Sequence, residues 1–92
     1  MVLAVSTAAS KGFLEVVRAL VDANAAVDHT NRNRQAPLNI AASQGHLEVV
    51  RLLVARGADV NNPSKWGTPL REALDDGRPA VAEFLRGVGA HP

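Results

Sequence analysis

The sequence predicts an all-α solenoid, in which short antiparallel helix pairs stack side by side and are joined by hairpin-like loops. The first observation is a repeat, because SKGFLEVVRALVDANAAVD returns as SQGHLEVVRLLVARGADVN 33 residues later. The second is that APLNIAASQGHLEVVRLLVARGA aligns with TPLREALDDGRPAVAEFLRGVGA at a spacing of 32 residues. A fixed period of this length is typical of stacked supersecondary units that bury their apolar faces against one another.

Proline and glycine mark the helix ends within each copy. Pro37 and Pro69 stand where a helix should begin, since proline fixes φ and lacks only an N–H that the first turn leaves unpaired. Gly12, Gly45 and Gly77 stand where the first helix of each copy should end in a left-handed conformation. The sequence therefore predicts six short helices in three pairs: Val2–Lys11 with Leu14–Ala23, Pro37–Gln44 with Leu47–Arg56, and Pro69–Asp76 with Pro79–Val88.

The predicted helices differ in their caps and in their outer faces. Thr68 can cap its helix through the hydroxyl, whereas Ala36 has no such group. Glu48 and Arg51 lie three residues apart and share the outer face of their helix. Arg86 replaces the apolar residue of the preceding copy, and a charge there is expected of a terminal, cap-like copy.

The middle copy resembles the ankyrin repeat. Its APLNIAA is similar to the family's Thr-Pro-Leu-His-x-Ala-Ala opening, QGHLEVVRLLVARGADVN matches the second half, and the third copy supplies the threonine as Thr68-Pro69-Leu70. The resemblance implies a single ankyrin-repeat domain over residues 1–92, with an incomplete copy at 1–30 and further copies at 31–62 and 63–92. It also implies a non-catalytic protein–protein interaction module.

Composition excludes several other classes of protein. A chain of 92 residues is long enough for one small domain. Because the sequence contains no cysteine, it excludes disulfides and metal sites with cysteine ligands. A net charge of +1 argues against nonspecific binding to nucleic acid or to an anionic membrane. The apolar run Met1–Val5 lacks the basic segment of a signal peptide and is too short to span a bilayer. We expect an intracellular protein, in the cytoplasm or the nucleus.

The titratable residues do not form a pattern that supports catalysis. His29, His46 and His91 lack the spacing of metal ligands, and His46 is better explained as a residue at a helix start. Asp75 and Asp76 are adjacent, so on a helix they point about 100° apart and cannot act as an acid/base pair on one bond. The sequence therefore predicts no enzyme activity, no cofactor and no metal.

The resemblance places a binding surface on the concave face, at the ends of the first helices and at the finger loops. The finger loops are the links between copies, Asp28–Gln35 for the first finger and Asn61–Gly67 for the second. The copies differ most there, which fits a surface adapted to a partner and equally fits drift on a solvated face. Trp66 is the leading residue, since exposed tryptophan is enriched at binding hot spots, and the alternative is that it packs against its neighbours. The predicted partner-binding residues are Ser10, Lys11, Arg32, Asn33, Gln35, Ser43, Gln44, Ser64, Lys65, Trp66, Asp75 and Asp76. Basic fingers beside the two aspartates indicate a mixed-charge partner surface.

Two other functions remain open from the sequence. The first copy lacks a finger and begins with apolar residues, so the chain either continues a longer array or self-associates there as a scaffold. The other alternative is a targeting or regulatory segment of a larger enzyme. In addition, Asn61 and Leu53 are similar to the asparagine and upstream leucine at which an asparaginyl hydroxylase modifies many animal ankyrin repeats.

Overall fold

A computed structural model describes residues 30–92, which include the second and third copies. These residues form four α-helices: α1 Pro37–Gln44, α2 Leu47–Ala55, α3 Pro69–Asp75 and α4 Pro79–Gly87. Each begins at the predicted residue, α1 also ends as predicted, and the other three end one residue early. The predicted helices Val2–Lys11 and Leu14–Ala23 lie outside the described residues.

The first helix of each described copy begins after an N-cap residue that precedes proline and ends near a glycine, as the sequence predicts. Thr68 caps α3, because its Oγ1 accepts a hydrogen bond from the Arg71 N–H at 3.2 Å. Ala36 occupies the N-cap of α1 in an extended conformation, and it supplies no side-chain cap. Gly45 ends α1 with φ +78°, and Gly77 follows α3 with φ +69°. A residue other than glycine rarely adopts this left-handed conformation, so both glycines are required by the turns that they make.

The core is built from the same positions in both copies. Leu38 and Leu70 belong to the first helices, Leu53 and Leu85 to the second helices, and all four are fully buried. Burying each leucine side chain stabilises the fold by about 1.5–3 kcal/mol. α1 packs against α2 and α3, and α3 packs against α4. The repeat thus places equivalent apolar residues where neighbouring helix pairs need them.

Buried polar contacts join the two copies on the finger side of the helices. Asn39 of α1 is fully buried, and its Oδ1 accepts hydrogen bonds from the Ala36 N–H at 3.1 Å and from Asn62 Nδ2 at 2.8 Å. Asn39 Nδ2 in turn donates to the Asn62 carbonyl at 3.1 Å. This side chain therefore closes the start of α1 and anchors the segment that leads to the next copy.

The last copy presents polar and charged residues where the preceding copy packs. Arg86 is exposed, whereas its counterpart Val54 is half-buried against the core. Leu74 and Val88 of this copy are also partly exposed, as is Trp66. Within residues 30–92, no helix is long and apolar enough to span a membrane.

Candidate functional site

The first finger loop is closed by a single asparagine side chain. Asn31 Oδ1 accepts hydrogen bonds from the N–H groups of Asn33 at 2.9 Å and Gln35 at 3.0 Å. The Asn31 carbonyl accepts from the Arg34 N–H at 3.0 Å, and Arg34 adopts a left-handed φ of +60°. Asparagine is suited to this role because its side chain bonds to the backbone two residues on. The finger is therefore shaped by local bonds rather than by apolar packing.

The second finger is a tight hairpin turn with Lys65 and Trp66 at its tip. Ser64 and Gly67 pair through both backbone groups, at 2.9 and 3.1 Å. The Lys65 N–H donates to the Asn33 carbonyl at 2.8 Å, which ties this tip to the first finger. Neighbouring fingers are therefore held together by a backbone hydrogen bond, and Trp66 lies at the tip of the second finger.

Trp66 projects from this tip into solvent. The residue is 50% exposed, and the Lys65 Nζ lies 5.7 Å from the ring centroid. The Trp66 N–H donates to Ser64 Oγ at 3.1 Å, so the backbone beneath the ring is fixed. A large aromatic side chain held half in water on an ordered turn can bury considerable area upon association.

A surface cavity of about 330 Å³ lies between the second finger and the ends of the first helices. We call this cavity the finger groove, and its described lining residues are Gln35, Ser43, Trp66, Glu72, Asp75 and Asp76. Five of these six were predicted as binding residues from the sequence. The sixth, Glu72, was not, although a carboxylate at the position of Ile40 in the preceding copy was the available signal.

Glu72 forms the buried part of the finger groove. The residue is only 4% exposed, and its two oxygens accept hydrogen bonds from Gln35 Nε2 at 2.8 Å and Ser64 Oγ at 3.1 Å. Burial raises the pKa of Glu72 above its usual value, hydrogen bonds from Asn39, Gln35 and Ser64 oppose that shift, and the nearby charge of Asp76 adds to it. The carboxyl group thus connects both fingers to α3 and carries its charge at an energetic cost.

The other predicted residues differ in how far they face solvent. Ser10 and Lys11 lie outside the described residues. The exposed residues are Arg32, Gln44, Lys65, Trp66, Asp75 and Asp76, the half-buried ones are Asn33, Gln35 and Ser43, and Ser64 is buried. The Ser64 hydroxyl bonds to Gly67 and Glu72, so this residue shapes the finger tip from within.

A second groove of about 540 Å³ lies between α2 and α4. Its described lining includes Glu48, Arg51 and Phe84, and the Arg51 Cζ lies 5.5 Å from the Phe84 ring centroid. A guanidinium at this distance from an aromatic ring makes a favourable cation–π contact. Arg51 therefore connects the second helices of adjacent copies instead of serving only as an outer-face charge.

The carboxylate and imidazole groups of the described residues do not form a candidate metal site. Residues 30–92 contain no group of three or more histidine, aspartate or glutamate side chains that could hold a metal ion. His46 occupies the N-cap position of α2, as expected of a residue at a helix start. Asp75 lies 3.7 Å from Arg71 Nη1 in an exposed ion pair, which contributes about 0–1 kcal/mol.

Comparison with known proteins identifies the repeat. The family model described as ankyrin repeats, in three copies, matches residues 4–92. A comparison with curated proteins finds no match to this chain. The family model, the period of the sequence and the stacked helix pairs agree, and ankyrin repeats generally mediate contacts between proteins. The chain therefore belongs to the ankyrin-repeat family.

Proposed function

We propose that this chain is a non-catalytic module that binds another protein through the finger groove and the finger tips beside it. The observation that carries the proposal is Trp66, which is half-exposed at the tip of a hydrogen-bonded turn. Tryptophan is among the residue types that dominate interface energies when a partner covers them. A soluble protein gains little from holding such a ring in water, so a covering partner explains its position.

The order of the fingers supports the same proposal. Lys65 is tied to the first finger through Asn33, and Ser64 is tied to the buried carboxylate of Glu72. These bonds fix the tip before any partner arrives, so association does not have to order the loop. Rigid binding surfaces lose less conformational entropy on binding and therefore retain more of their contact energy.

Charge at the edges of the groove favours a partner surface that carries both signs. Arg32 and Lys65 are exposed on the fingers, whereas Asp75 and Asp76 are exposed at the end of α3. Charges at the rim of an interface mainly set the association rate and its dependence on salt. We therefore propose Trp66 as the energetic anchor and these side chains as the rim.

The test begins with affinity capture of a partner by the immobilised chain, followed by titration calorimetry with the isolated partner. Trp66→Ala should weaken binding by about 2 kcal/mol or more, because a buried aromatic anchor carries a large share of interface energy. Arg32→Glu should mainly slow association and change its salt dependence. Glu48→Ala, on the exposed surface of α2, is the matched control and should bind as the wild type does.

Circular dichroism of each variant establishes that helical content is unchanged before binding is compared. The proposal fails if Trp66→Ala binds with wild-type affinity. If Arg51→Ala weakens binding while Trp66→Ala does not, the groove between α2 and α4 is the binding surface.

A further inference from the structure

We infer that the finger groove accepts a cationic side chain of the partner, a lysine or an arginine, beside the Trp66 ring. This inference rests on the proposed function and specifies the chemistry of the partner at one point of the interface. It follows from the shape of the groove, the kinds of group that line it and the state of its buried carboxylate.

The groove is small and has an aromatic wall. Its volume of about 330 Å³ is at the low end of the range of about 300–1,000 Å³ for ligand pockets, so it suits one inserted side chain. Trp66 provides the aromatic surface, and Gln35 and Ser43 provide neutral polar groups. A long flexible side chain with a charged end can pack its methylenes against such a wall while its end group reaches the floor.

The charged groups that line the groove are all acidic among the described residues. They are Glu72, Asp75 and Asp76, whereas Lys65 and Arg71 are not among the lining residues. Because the whole chain has a net charge of only +1, this negative potential is local to the groove. A cation is therefore attracted at this site rather than to the protein surface in general.

The buried carboxylate at the floor of the groove supports the preference for a cation more strongly than the exposed aspartates do. Glu72 is buried, and the side chains that donate to its oxygens, those of Gln35, Ser64 and Asn39, are all neutral. Neutral hydrogen bonds orient the carboxylate but do not balance its charge, which burial makes costly. A carboxylate has about four acceptor positions, so an ammonium or guanidinium group can add bonds that provide the missing positive charge.

The Trp66 ring is already compatible with a cation nearby. The Lys65 Nζ lies 5.7 Å from its centroid, within the distance of about 6 Å at which cation–π attraction is effective. Recognition of a cation by an aromatic wall together with carboxylates is favourable because both groups attract positive charge. Asp75 already has Arg71 at 3.7 Å, but an acidic or purely apolar side chain would bring no positive charge to Glu72 or Asp76.

The test uses four blocked tripeptides that differ only in the central residue: Ac-Ala-Lys-Ala-NH2, Ac-Ala-Arg-Ala-NH2, and the norleucine and glutamate analogues. Trp66 is the only tryptophan, so its indole N–H gives one unambiguous NMR signal for the groove. We expect saturable shifts of this signal with the lysine and arginine peptides, stronger at an ionic strength of about 0.01 M than at about 0.15 M. The norleucine and glutamate peptides should produce much smaller shifts.

Variants of the groove provide the second arm of the experiment. Asp75→Asn combined with Asp76→Asn should weaken binding of the lysine peptide by at least about threefold, since each lost pair removes a modest electrostatic attraction. Glu83→Gln removes an exposed carboxylate of α4 that does not line the groove, so it should leave the titration unchanged. Equal shifts from the norleucine and lysine peptides, or equal binding by the aspartate variant and the wild type, would overturn the inference.

Binding of the captured partner by the same variants distinguishes a failure of this inference from a failure of the proposed function. If Trp66→Ala weakens partner binding but the double aspartate variant does not, the groove binds a protein without recognising a cationic side chain. In that case only the inference fails. If Trp66→Ala has no effect on partner binding, the proposed function itself fails, whatever the peptides show.

Discussion

Arg78 of the third copy covers Gly45 of the second. A Cβ atom placed on Gly45 would lie 2.8 Å from the Arg78 Cδ, closer than real Cβ contacts allow. The same arginine donates from Nε to the Ser43 carbonyl at 3.1 Å, which satisfies a backbone group near the end of α1. The glycine thus serves two purposes: it adopts the left-handed conformation that ends the helix, and it leaves room for a side chain that joins two repeats.

The first prediction compares this glycine with its counterpart in the next copy. Gly45→Val and Gly77→Val both place a β-branched residue at a positive φ, which costs about 1–3 kcal/mol. Only Gly45→Val also displaces Arg78, because a Cβ at Gly77 would meet nothing within 4 Å. Losing the hydrogen bond to Ser43 should add about 0.5–1.5 kcal/mol. Urea unfolding of both variants measures the difference, and equal destabilisation would show that the Arg78 contact contributes nothing.

A double variant isolates the arginine contribution. In an Arg78→Ala background the contact with Gly45 is absent, so Gly45→Val should cost about as much as Gly77→Val does. Coupling energies between contacting residues are about 0.5–3 kcal/mol in such cycles. Additive effects of Gly45→Val and Arg78→Ala would show that the two residues are not energetically coupled.

The second prediction concerns Asn39, whose side chain bonds to both Ala36 and Asn62. Asn39→Ala should lower the free energy of unfolding by about 1–3 kcal/mol, because it leaves buried polar groups without partners. Asn62→Ala removes the other member of the pair and should destabilise by a similar mechanism. The double variant should cost less than the sum of the two single variants, since the same bonds are lost. A strictly additive result in denaturant unfolding would rule out this coupling.

The third prediction concerns the missing hydroxyl cap of α1. Ala36 occupies the N-cap but is fully buried, so a larger side chain must also find space there. Threonine and valine have nearly the same shape and differ in the hydroxyl that accepts a bond from the first turn. Ala36→Thr should therefore be more stable than Ala36→Val by about 0.5–2 kcal/mol, the usual contribution of a capping side chain. Thermal unfolding compares the two variants directly, and equal melting temperatures would mean that no cap forms.

The helices and their apolar core were predictable from the sequence because each position is specified twice. Leu38 and Leu70 recur at the repeat period, and proline and glycine mark the ends of the same helices. Local chemistry and stacking therefore favour the same structure, and the starts of all four described helices were predicted correctly. The helix ends were one residue off in three cases, because the last turn loosens gradually into the following loop.

The polar details of the site were less predictable because they depend on side chains that differ between copies. Glu72 and Arg78 each replace a different kind of residue in the preceding copy, so the repeat provides no pattern for them. Arg34 adopts a positive φ that sequence rules assign to glycine or asparagine. The exposure of Trp66 likewise depended on the fold of a two-residue turn. The bonds from Gln35 to Glu72 and from Arg78 to Ser43 join residues 37 and 35 positions apart, and periodicity carries no information about them.

The last prediction concerns the pH dependence contributed by Glu72. Its pKa is raised in the folded chain, mainly by burial, so the native state binds a proton more tightly than the unfolded state. The stability that this provides is fully present below the unfolded value of 4.5 and is lost as the pH rises through the higher folded pKa. Glu72→Gln removes the titration and leaves every other ionisable group in place. The free energy of unfolding of the wild type minus that of Glu72→Gln should therefore decrease as the pH rises above about 4.5 and level off once the pH exceeds the folded pKa. Denaturant unfolding at several pH values measures this difference, and a difference that is constant or increases with pH would refute the raised pKa.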